Sequence, residues 1–111
     1  MTVERHGQIV RLRPEKREEY LRLHAAVWPQ VEATLTAHHV RNYTIFLVDD
    51  TLFATYEYTG DDHAADMAGV AADPVTQEWW RHTDPCQAPW GSGTPAGAGP
   101  WRDAVEVWHL D

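Results

Sequence analysis

The sequence predicts an α+β fold whose elements follow the order β-α-β-β-α-β, with the strands in one antiparallel sheet. Segments with two-residue apolar alternation are separated by segments whose apolar residues recur every three or four positions. Two strand-like segments are joined by only Asp49 and Asp50, which is the spacing of a tight hairpin. The 111 residues are enough for one domain with a buried core, so we expect residues 1–111 to form a single domain.

The first strand and helix are predicted from a change in hydrophobic period. Residues Gly7–Arg13 alternate as a strand does. The helical pattern runs over Pro14–His39, and it begins with proline and several glutamates, which suit the first turn of a helix. Pro29 interrupts this pattern and lacks an N–H group. We therefore expect the helix to kink or divide near Val27 and Trp28.

The hairpin and the later helices follow from composition. Residues Arg41–Val48 and Thr51–Tyr58 are rich in β-branched and aromatic side chains, which favours strands. A helix is predicted over Asp61–Ala72. A second, short helix is predicted over Pro74–His82, with Asp73 as its N-cap.

A segment rich in glycine and proline, Gly91–Pro100, is predicted to be a loop. It lies inside the domain, because a last strand is predicted after it over Asp103–Leu110. This order of strands and helices is the ferredoxin-like arrangement, in which helices cover one face of a four-stranded antiparallel sheet.

Both faces of the predicted sheet are apolar. In the second strand Tyr43, Ile45 and Leu47 point one way, whereas Phe46 and Val48 point the other way. The helices can cover only one of these faces, and an apolar face needs a cover. We therefore expect a homodimer in which a second subunit covers the other face.

Composition excludes several classes of partner. The net charge is −8, which argues against a broad basic surface for nucleic acid or an anionic membrane and leaves a neutral small molecule as a ligand. The N-terminal residues lack the apolar stretch of a signal peptide, and no apolar run is long enough to span a membrane, so we expect a cytoplasmic protein. Cys86 is the only cysteine, which excludes an intrachain disulfide and favours a structural thiol.

Familiar catalytic and metal-binding motifs are missing from the sequence. It contains no CxxC, HExxH, GxSxG or glycine-rich phosphate loop. His38 and His39 are adjacent at a predicted helix end, where their side chains point about 100° apart, so we expect a solvated helix end. No metal site is predicted.

An unusual set of aromatic residues remains. Tyr20, His24 and Trp28 occur at i, i+4 and i+8 and share one helix face. Six tryptophans in 111 residues exceed what a core of this size needs. Tryptophan and tyrosine combine an apolar ring with a polar tip, which suits the apolar faces and hydroxyls of a sugar. The same spacing is also typical of an ordinary core, so the pattern alone leaves both interpretations open.

The sequence resembles the L-rhamnose mutarotase family over about Gly7 to Leu110. The resemblance rests on five stretches taken together: YLRLHAAVWPQVEATL, RNYTIFL, LFATYEY, DPVTQEWWRHTDP and EVWHL. The Tyr-x₃-His-x₃-Trp-Pro run, the Asn-Tyr pair and the Trp-Trp pair form a specific combination, although each is weak alone.

The resemblance implies a dimeric ferredoxin-like enzyme that interconverts the α and β anomers of L-rhamnose or a related 6-deoxy sugar, without metal or cofactor. It places His24 at the family's catalytic proton donor. Tyr20, Tyr43, Trp79 and Trp80 fall at substrate-contacting positions. Because Trp79 and Trp80 are neighbours on a helix, we expect only one of them to face the sugar.

The sequence departs from the family at one point near the histidine, where Ala25 and Ala26 replace the usual Asn-Pro, and the loop before the last strand also diverges. These departures leave alternatives open. One is a cofactor-free monooxygenase or cyclase of the same dimeric fold. Another is a sugar-binding module without catalysis, and a third is a purely structural dimer.

Overall fold

The computed structural model of the chain describes residues 3–91 and 100–111. Its strands are β1 (Glu4–Leu12), β2 (Val40–Val48), β3 (Thr51–Tyr58), β4 (Gln87–Ala88) and β5 (Arg102–Ala104). They form one sheet in the order β2-β3-β1-β4, with β5 also paired to β1, and every pairing is antiparallel. The short strands β4 and β5 share the edge beside β1. The predicted α+β class and the antiparallel sheet are confirmed.

The helices are α1 (Arg17–His24), α2 (Pro29–Ala37), α3 (His63–Ala72) and α4 (Pro74–Thr83), with 3₁₀ turns over Pro14–Lys16 and Asp84–Cys86. The predicted division of the first helix is confirmed. Trp28 adopts an extended conformation, with φ −64° and ψ 129°, because the residue before a proline is disfavoured in the helical region. Pro29 then starts α2, where its missing N–H group has no consequence.

Asp73 separates α3 from α4 and caps the second of these helices. Its carboxylate accepts hydrogen bonds from the backbone N–H of Thr76 at 2.9 Å and from the Thr76 hydroxyl at 2.8 Å. These bonds lower the pKa of Asp73. The N-cap predicted from the sequence is therefore confirmed, and it fixes where α4 begins after α3.

The helices pack on one face of the sheet, here called the inner face, where two clusters of buried side chains form. One cluster joins α1 to the sheet through Val10, Leu12, Tyr20, Leu52 and Cys86. The other contains Val40, Tyr56 and Tyr58, with Leu35 of α2 and Met67 of α3 packed against it. Ala54 lies between the two clusters on β3 and is also buried.

A β-bulge in β2 sets which residues of this strand face inward. Arg41 pairs with Glu57 and Thr44 pairs with Thr55, so Asn42 and Tyr43 together oppose one residue of β3. Asn42 has a φ of 51°, in the left-handed region that asparagine tolerates better than most residues. The extra residue lets both Val40 and Tyr43 face inward although they are three positions apart.

The predicted last strand is wrong beyond Ala104. Only Arg102–Ala104 pairs with β1, and Val105–Leu110 forms no strand. Val105, Val107, Trp108 and Leu110 are each more than 70% exposed. Their alternation predicted a strand because apolar side chains suit a half-buried sheet, but a single chain offers this segment no neighbour to cover it.

Two further expectations concern the surface of the chain. Most of the predicted loop, residues 92–99, lies outside the described residues. Among the residues that are described, no helix is both long enough and apolar enough to cross a membrane.

Replacement of Asn42 tests the role of the bulge. Asn42→Val should destabilise the fold by roughly 1–2 kcal/mol, because a β-branched residue is strained in the left-handed region. Asn42→Gly should lose less, since glycine adopts this conformation freely. Urea unfolding of both variants measures the difference. Equal stability of the two would show that the backbone at residue 42 is not constrained.

Candidate active site

Helix α1 holds Tyr20 and His24 against each other. The two residues are one helical turn apart, and their rings stack with centroids 4.1 Å apart. Tyr20 is buried in the first cluster, whereas His24, the last residue of α1, is half-buried. The sequence therefore places an imidazole at the edge of the core, where it is sheltered but reachable.

A backbone hydrogen bond fixes the orientation of the His24 ring. Its Nδ1 lies 2.9 Å from the carbonyl oxygen of Tyr20. A carbonyl oxygen can only accept, so we assign the hydrogen of the neutral ring to Nδ1. This leaves the lone pair of Nε2 free, since Nε2 has no hydrogen-bond partner among the described residues. Burial lowers the pKa of His24 below 6.5, and the bond to Tyr20 opposes this only partly. The ring is therefore neutral at pH 7.

The two adjacent tryptophans of α4 lie in different surroundings. Trp79 is 6% exposed, and its ring meets the His24 ring edge-on at 5.4 Å and the Trp28 ring at 5.3 Å. Trp80 is 37% exposed and makes no ring contact of this kind with a described residue. The structure thus brings Tyr20, His24 and Trp79 together and leaves Trp80 on the surface.

Tyr43 lies on β2, close enough to Tyr20 to contribute to the raised pKa of that tyrosine. The Tyr43 ring stacks on Tyr56 at 5.4 Å, and the Tyr56 hydroxyl is 2.7 Å from Nε2 of His63. Part of the Tyr43 side chain reaches solvent, but its hydroxyl end is sheltered, and burial raises its pKa. The tyrosine hydroxyl therefore stays protonated at neutral pH and can donate a hydrogen bond.

The Tyr20 hydroxyl and the Gln87 amide oxygen are both buried without hydrogen-bond partners among residues 3–91 and 100–111. Burial is also the main reason that the pKa of Tyr20 is raised. The Gln87 amide lies near enough to oppose part of that rise, yet the two groups do not meet in hydrogen-bond geometry. Two unpaired polar atoms side by side in the interior are costly unless something else binds them.

A small cavity opens beside His24. It has a volume of about 90 Å³ and lies between α1 and β2, with Tyr20, Leu21, His24, Ile45, Phe46, Leu47 and Leu52 as its lining. This is below the roughly 300 Å³ of ordinary small-molecule pockets, so a pyranose can enter only if lining side chains move. Leu21 of α1 is 46% exposed and is the lining residue with most freedom to do so, whereas the Phe46 ring stacks on Phe53 on the other face of the sheet.

A larger cavity of about 480 Å³ lies near the C-terminal residues, between side chains that include Asn42, Glu57, Glu106 and Trp108. None of the five predicted site residues lines it. We place the candidate site at His24 because that is where a sheltered base, tyrosine hydroxyls and an indole ring converge.

Other residues that the sequence analysis considered have structural roles. Cys86 is fully buried, its thiol lies 3.5 Å from the His82 carbonyl oxygen, and burial raises its pKa. The expectation of a solvated helix end applies to His39, which is exposed, but is wrong for His38. That residue is half-buried and packs against Gly69 of α3. Among the described residues, no three His, Cys, Asp or Glu side chains are grouped to hold a metal ion.

Sequence reasoning did not select two residues that the structure brings to this site. The expectation that Trp28 shares one helix face with Tyr20 and His24 is wrong, because α1 ends at His24 and Trp28 is extended; its ring reaches the site against Trp79 instead. Gln87 lies in a stretch without periodicity, so nothing in the sequence pointed to it. The arrangement as a whole can exchange a proton at Nε2 of His24 and can hydrogen-bond a polar ligand through tyrosine hydroxyls.

Replacement of the two tryptophans tests the cause of the low pKa of His24. Trp79→Leu should move the pKa of His24 up toward its ordinary value of about 6.5, because water gains access to the ring. Trp80→Leu is the matched control and should leave it unchanged, since Trp80 does not touch the imidazole. Titration of the histidine signals by NMR measures both. An unchanged value in Trp79→Leu would mean that other groups shelter His24.

The chain matches the L-rhamnose mutarotase family over residues 5–110. An L-rhamnose mutarotase from Oceanobacillus iheyensis is 31% identical over 111 residues, which cover 98% of this chain and all of that protein. An L-rhamnose mutarotase from Listeria monocytogenes is 34% identical over 110 residues, covering 97% of this chain and 99% of the other.

Solved structures show the same fold. The L-rhamnose mutarotase from Formosa agariphila superimposes with a TM-score of 0.76 at 22% identity, over 97% of this chain and 99% of that one. Tetracenomycin F2 cyclase from Streptomyces glaucescens, a type II polyketide cyclase, gives 0.67 at 16% identity over the same shares. At these identities the structures establish the ferredoxin-like architecture alone, and the sequence match over residues 5–110 decides the family. This chain belongs to the L-rhamnose mutarotase family.

Proposed function

We propose that this protein interconverts the α and β anomers of L-rhamnose by opening and reclosing the sugar ring, as a single-domain enzyme. The observation that carries the proposal is the geometry of His24, whose ring is held by its Nδ1–H group while Nε2 stays free beside a cavity. The family to which the chain belongs is named for this activity.

The aromatic surroundings of His24 suit a sugar. Pyranose rings have apolar C–H faces that stack on indole or phenol rings, and hydroxyls that need polar partners. Trp79 offers an indole next to the imidazole, and Tyr20 and Tyr43 offer hydroxyls that stay protonated at neutral pH. We therefore assign these three residues to substrate binding. Trp80 is assigned to the rim of the site, because it is partly exposed on the same helix.

Ring opening begins with His24 as a base. Nε2 accepts the proton of the anomeric hydroxyl while the C1–O5 bond breaks and its electron pair moves to O5. The new C1=O1 carbonyl forms, and O5 takes a proton from water. Only protons and one carbon–oxygen bond are exchanged, so the reaction requires no oxidant or reductant. The low pKa of His24 favours this sequence, because the ring starts in its neutral form.

Reclosure reverses these steps after rotation about the C1–C2 bond. The O5 hydroxyl attacks the opposite face of C1 and gives its proton to the hydroxide ion that the first half formed from water, while the imidazolium returns its proton to O1. The imidazolium is thus the proton donor of the second half of the reaction. Tyr20 and Tyr43 act in both halves by holding sugar hydroxyls so that the aldehyde stays in place while it rotates.

Replacement of His24 tests the mechanism. His24→Ala should slow the catalysed exchange at least roughly tenfold, because general acid–base catalysis of this kind typically contributes about 10²- to 10⁴-fold. Saturation-transfer NMR on L-rhamnose at anomeric equilibrium measures the exchange between the α and β H1 signals, with catalytic amounts of protein.

His39→Asn is the matched control for this experiment. His39 is exposed and has a φ of 68°, a conformation that asparagine also adopts, so the variant should fold and keep full activity. Full activity of His24→Ala would remove His24 from the mechanism. No acceleration by the unmodified protein would refute the proposed function itself.

We also propose that the active form is a homodimer joined through the outer face of the sheet, opposite the helices. Phe46, Val48 and Phe53 are exposed on this face, and the Phe46 and Phe53 rings stack at 5.2 Å. The apolar side chains of Val105–Leu110 extend from the same sheet. A second copy could cover both groups, and exposed apolar surface of this kind is typical of a protein interface.

Charge reversal of the outer face tests this assembly. A variant carrying both Phe46→Glu and Phe53→Glu should be monomeric by light scattering at micromolar concentration, because carboxylates cannot be buried unpaired in an apolar contact. Ala33→Glu, at an exposed position of α2, is the control and should remain dimeric. A monomer in the unmodified protein would contradict the assembly.

A further inference from the structure

The interior contains a buried polar pair, Tyr20 and Gln87, of which the proposed mechanism uses only Tyr20. Gln87 belongs to β4 and lies directly opposite Leu12 of β1. Opposite residues of an antiparallel pair share a face of the sheet, so the amide of Gln87 points to the inner face, beneath the helices. The residue is only 6% exposed, which is unusual for a glutamine.

The two polar atoms of this pair complement each other. The Tyr20 hydroxyl can donate one hydrogen bond, and the Gln87 Oε1 atom can only accept. Neither finds a partner within the described part of the chain, although both are buried. Apart from each other, the two groups have no polar neighbour among the described residues of the first cluster that could serve, because Val10, Leu12 and Leu52 are apolar and burial raises the pKa of the Cys86 thiol.

We propose that Gln87 determines sugar specificity by binding, together with Tyr20, one hydroxyl group of the substrate ring. A sugar hydroxyl is both a donor and an acceptor, so a single such group accepts from the Tyr20 hydroxyl and donates to Gln87 Oε1. A carboxylate would not fit, since it has no hydrogen to give to an amide oxygen. This inference rests on the proposed function, because it assigns a role at the same site.

The position of the pair relative to His24 supports this role. Tyr20 stacks on the imidazole through its ring while its hydroxyl end lies near Gln87. Tyr20 therefore spans the distance between the proton-transferring residue and the glutamine. A hydroxyl held at that end belongs to a ring carbon remote from C1. Such a contact selects among sugars without taking part in proton transfer.

A site built to hydrogen-bond a substrate hydroxyl rejects an analogue that lacks it, because its own buried polar groups are then left unpaired. Gln87→Met removes the amide while keeping an unbranched side chain of similar length. It should raise KM for L-rhamnose roughly fivefold or more, the effect of losing one buried hydrogen bond. The kcat value should change little, since His24 is untouched.

The monodeoxy analogues of L-rhamnose provide the decisive comparison. Exchange of the 2-deoxy, 3-deoxy and 4-deoxy sugars is measured by saturation-transfer NMR for the unmodified protein and for Gln87→Met. One of these analogues lacks the hydroxyl that Gln87 binds. For this analogue Gln87→Met should change KM by less than about twofold, because the contact with Gln87 is already absent. Gln30→Met, an exposed position on α2, is the matched control and should not change KM for any of the sugars.

Two results would overturn the proposal. One is an unchanged KM for L-rhamnose in Gln87→Met, with or without a lower unfolding temperature, which would give Gln87 a purely structural role. The other is an equal rise in KM for L-rhamnose and all three analogues, which would indicate a general loss of packing. Gln87→Leu provides a second apolar variant if the methionine variant does not fold.

Failure of the proposed function would be recognised separately. In that case the unmodified protein accelerates the exchange of no sugar, and the same comparison is made on binding, followed by tryptophan fluorescence with L-rhamnose. Weaker binding of L-rhamnose to Gln87→Met, with one deoxy sugar bound equally by both proteins, would still support the role of Gln87. Equal binding of L-rhamnose by the two proteins would reject it.

Discussion

The break that Pro29 imposes on the first helical segment determines the geometry of the site. Because Trp28 cannot remain helical before a proline, α1 ends at His24 and the chain turns through Ala25 and Ala26. The imidazole at this end binds back to the Tyr20 carbonyl, and the Trp28 ring turns to meet Trp79. An unbroken helix would put His24 in its middle and would keep Trp28 on the same helix face as Tyr20 and His24. The backbone restriction that Pro29 imposes thus determines how the imidazole of His24 is oriented.

The sheet contributes Tyr43 to the site, and a local backbone feature of β2 sets the position of this residue. The left-handed conformation of Asn42 creates the bulge by which Val40 reaches the core while Tyr43 stays on the inner face. The fold around these devices is shared with a polyketide cyclase, so the architecture alone does not set the chemistry. The chemistry depends on which side chains converge under the helices, and here they are an imidazole, two tyrosines and an indole.

Much of the fold could be predicted because its signals are local. The hairpin at Asp49–Asp50, the cap at Asp73 and the break at Pro29 each follow from one or two residues. The end of the chain could not be predicted. The alternation at Val105–Leu110 indicates that these residues suit a half-buried strand, but it does not show whether another strand lies beside them. In the site, spacing brought Tyr20 and His24 together. The burial of Gln87, the difference between Trp79 and Trp80 and the proton on Nδ1 depend on tertiary packing, which spacing does not encode.

The account depends on a neutral His24 ring with its hydrogen on Nδ1 and a free Nε2 that meets the sugar. The most direct test is a ¹H–¹⁵N NMR spectrum of the histidine rings at pH 7, recorded with and without L-rhamnose. The account predicts that His24 is in the Nδ1–H tautomer and that the sugar shifts Nε2 while Nδ1 stays bonded to the Tyr20 carbonyl. A ring protonated on Nε2 alone, or ring signals that L-rhamnose leaves unchanged, would contradict it.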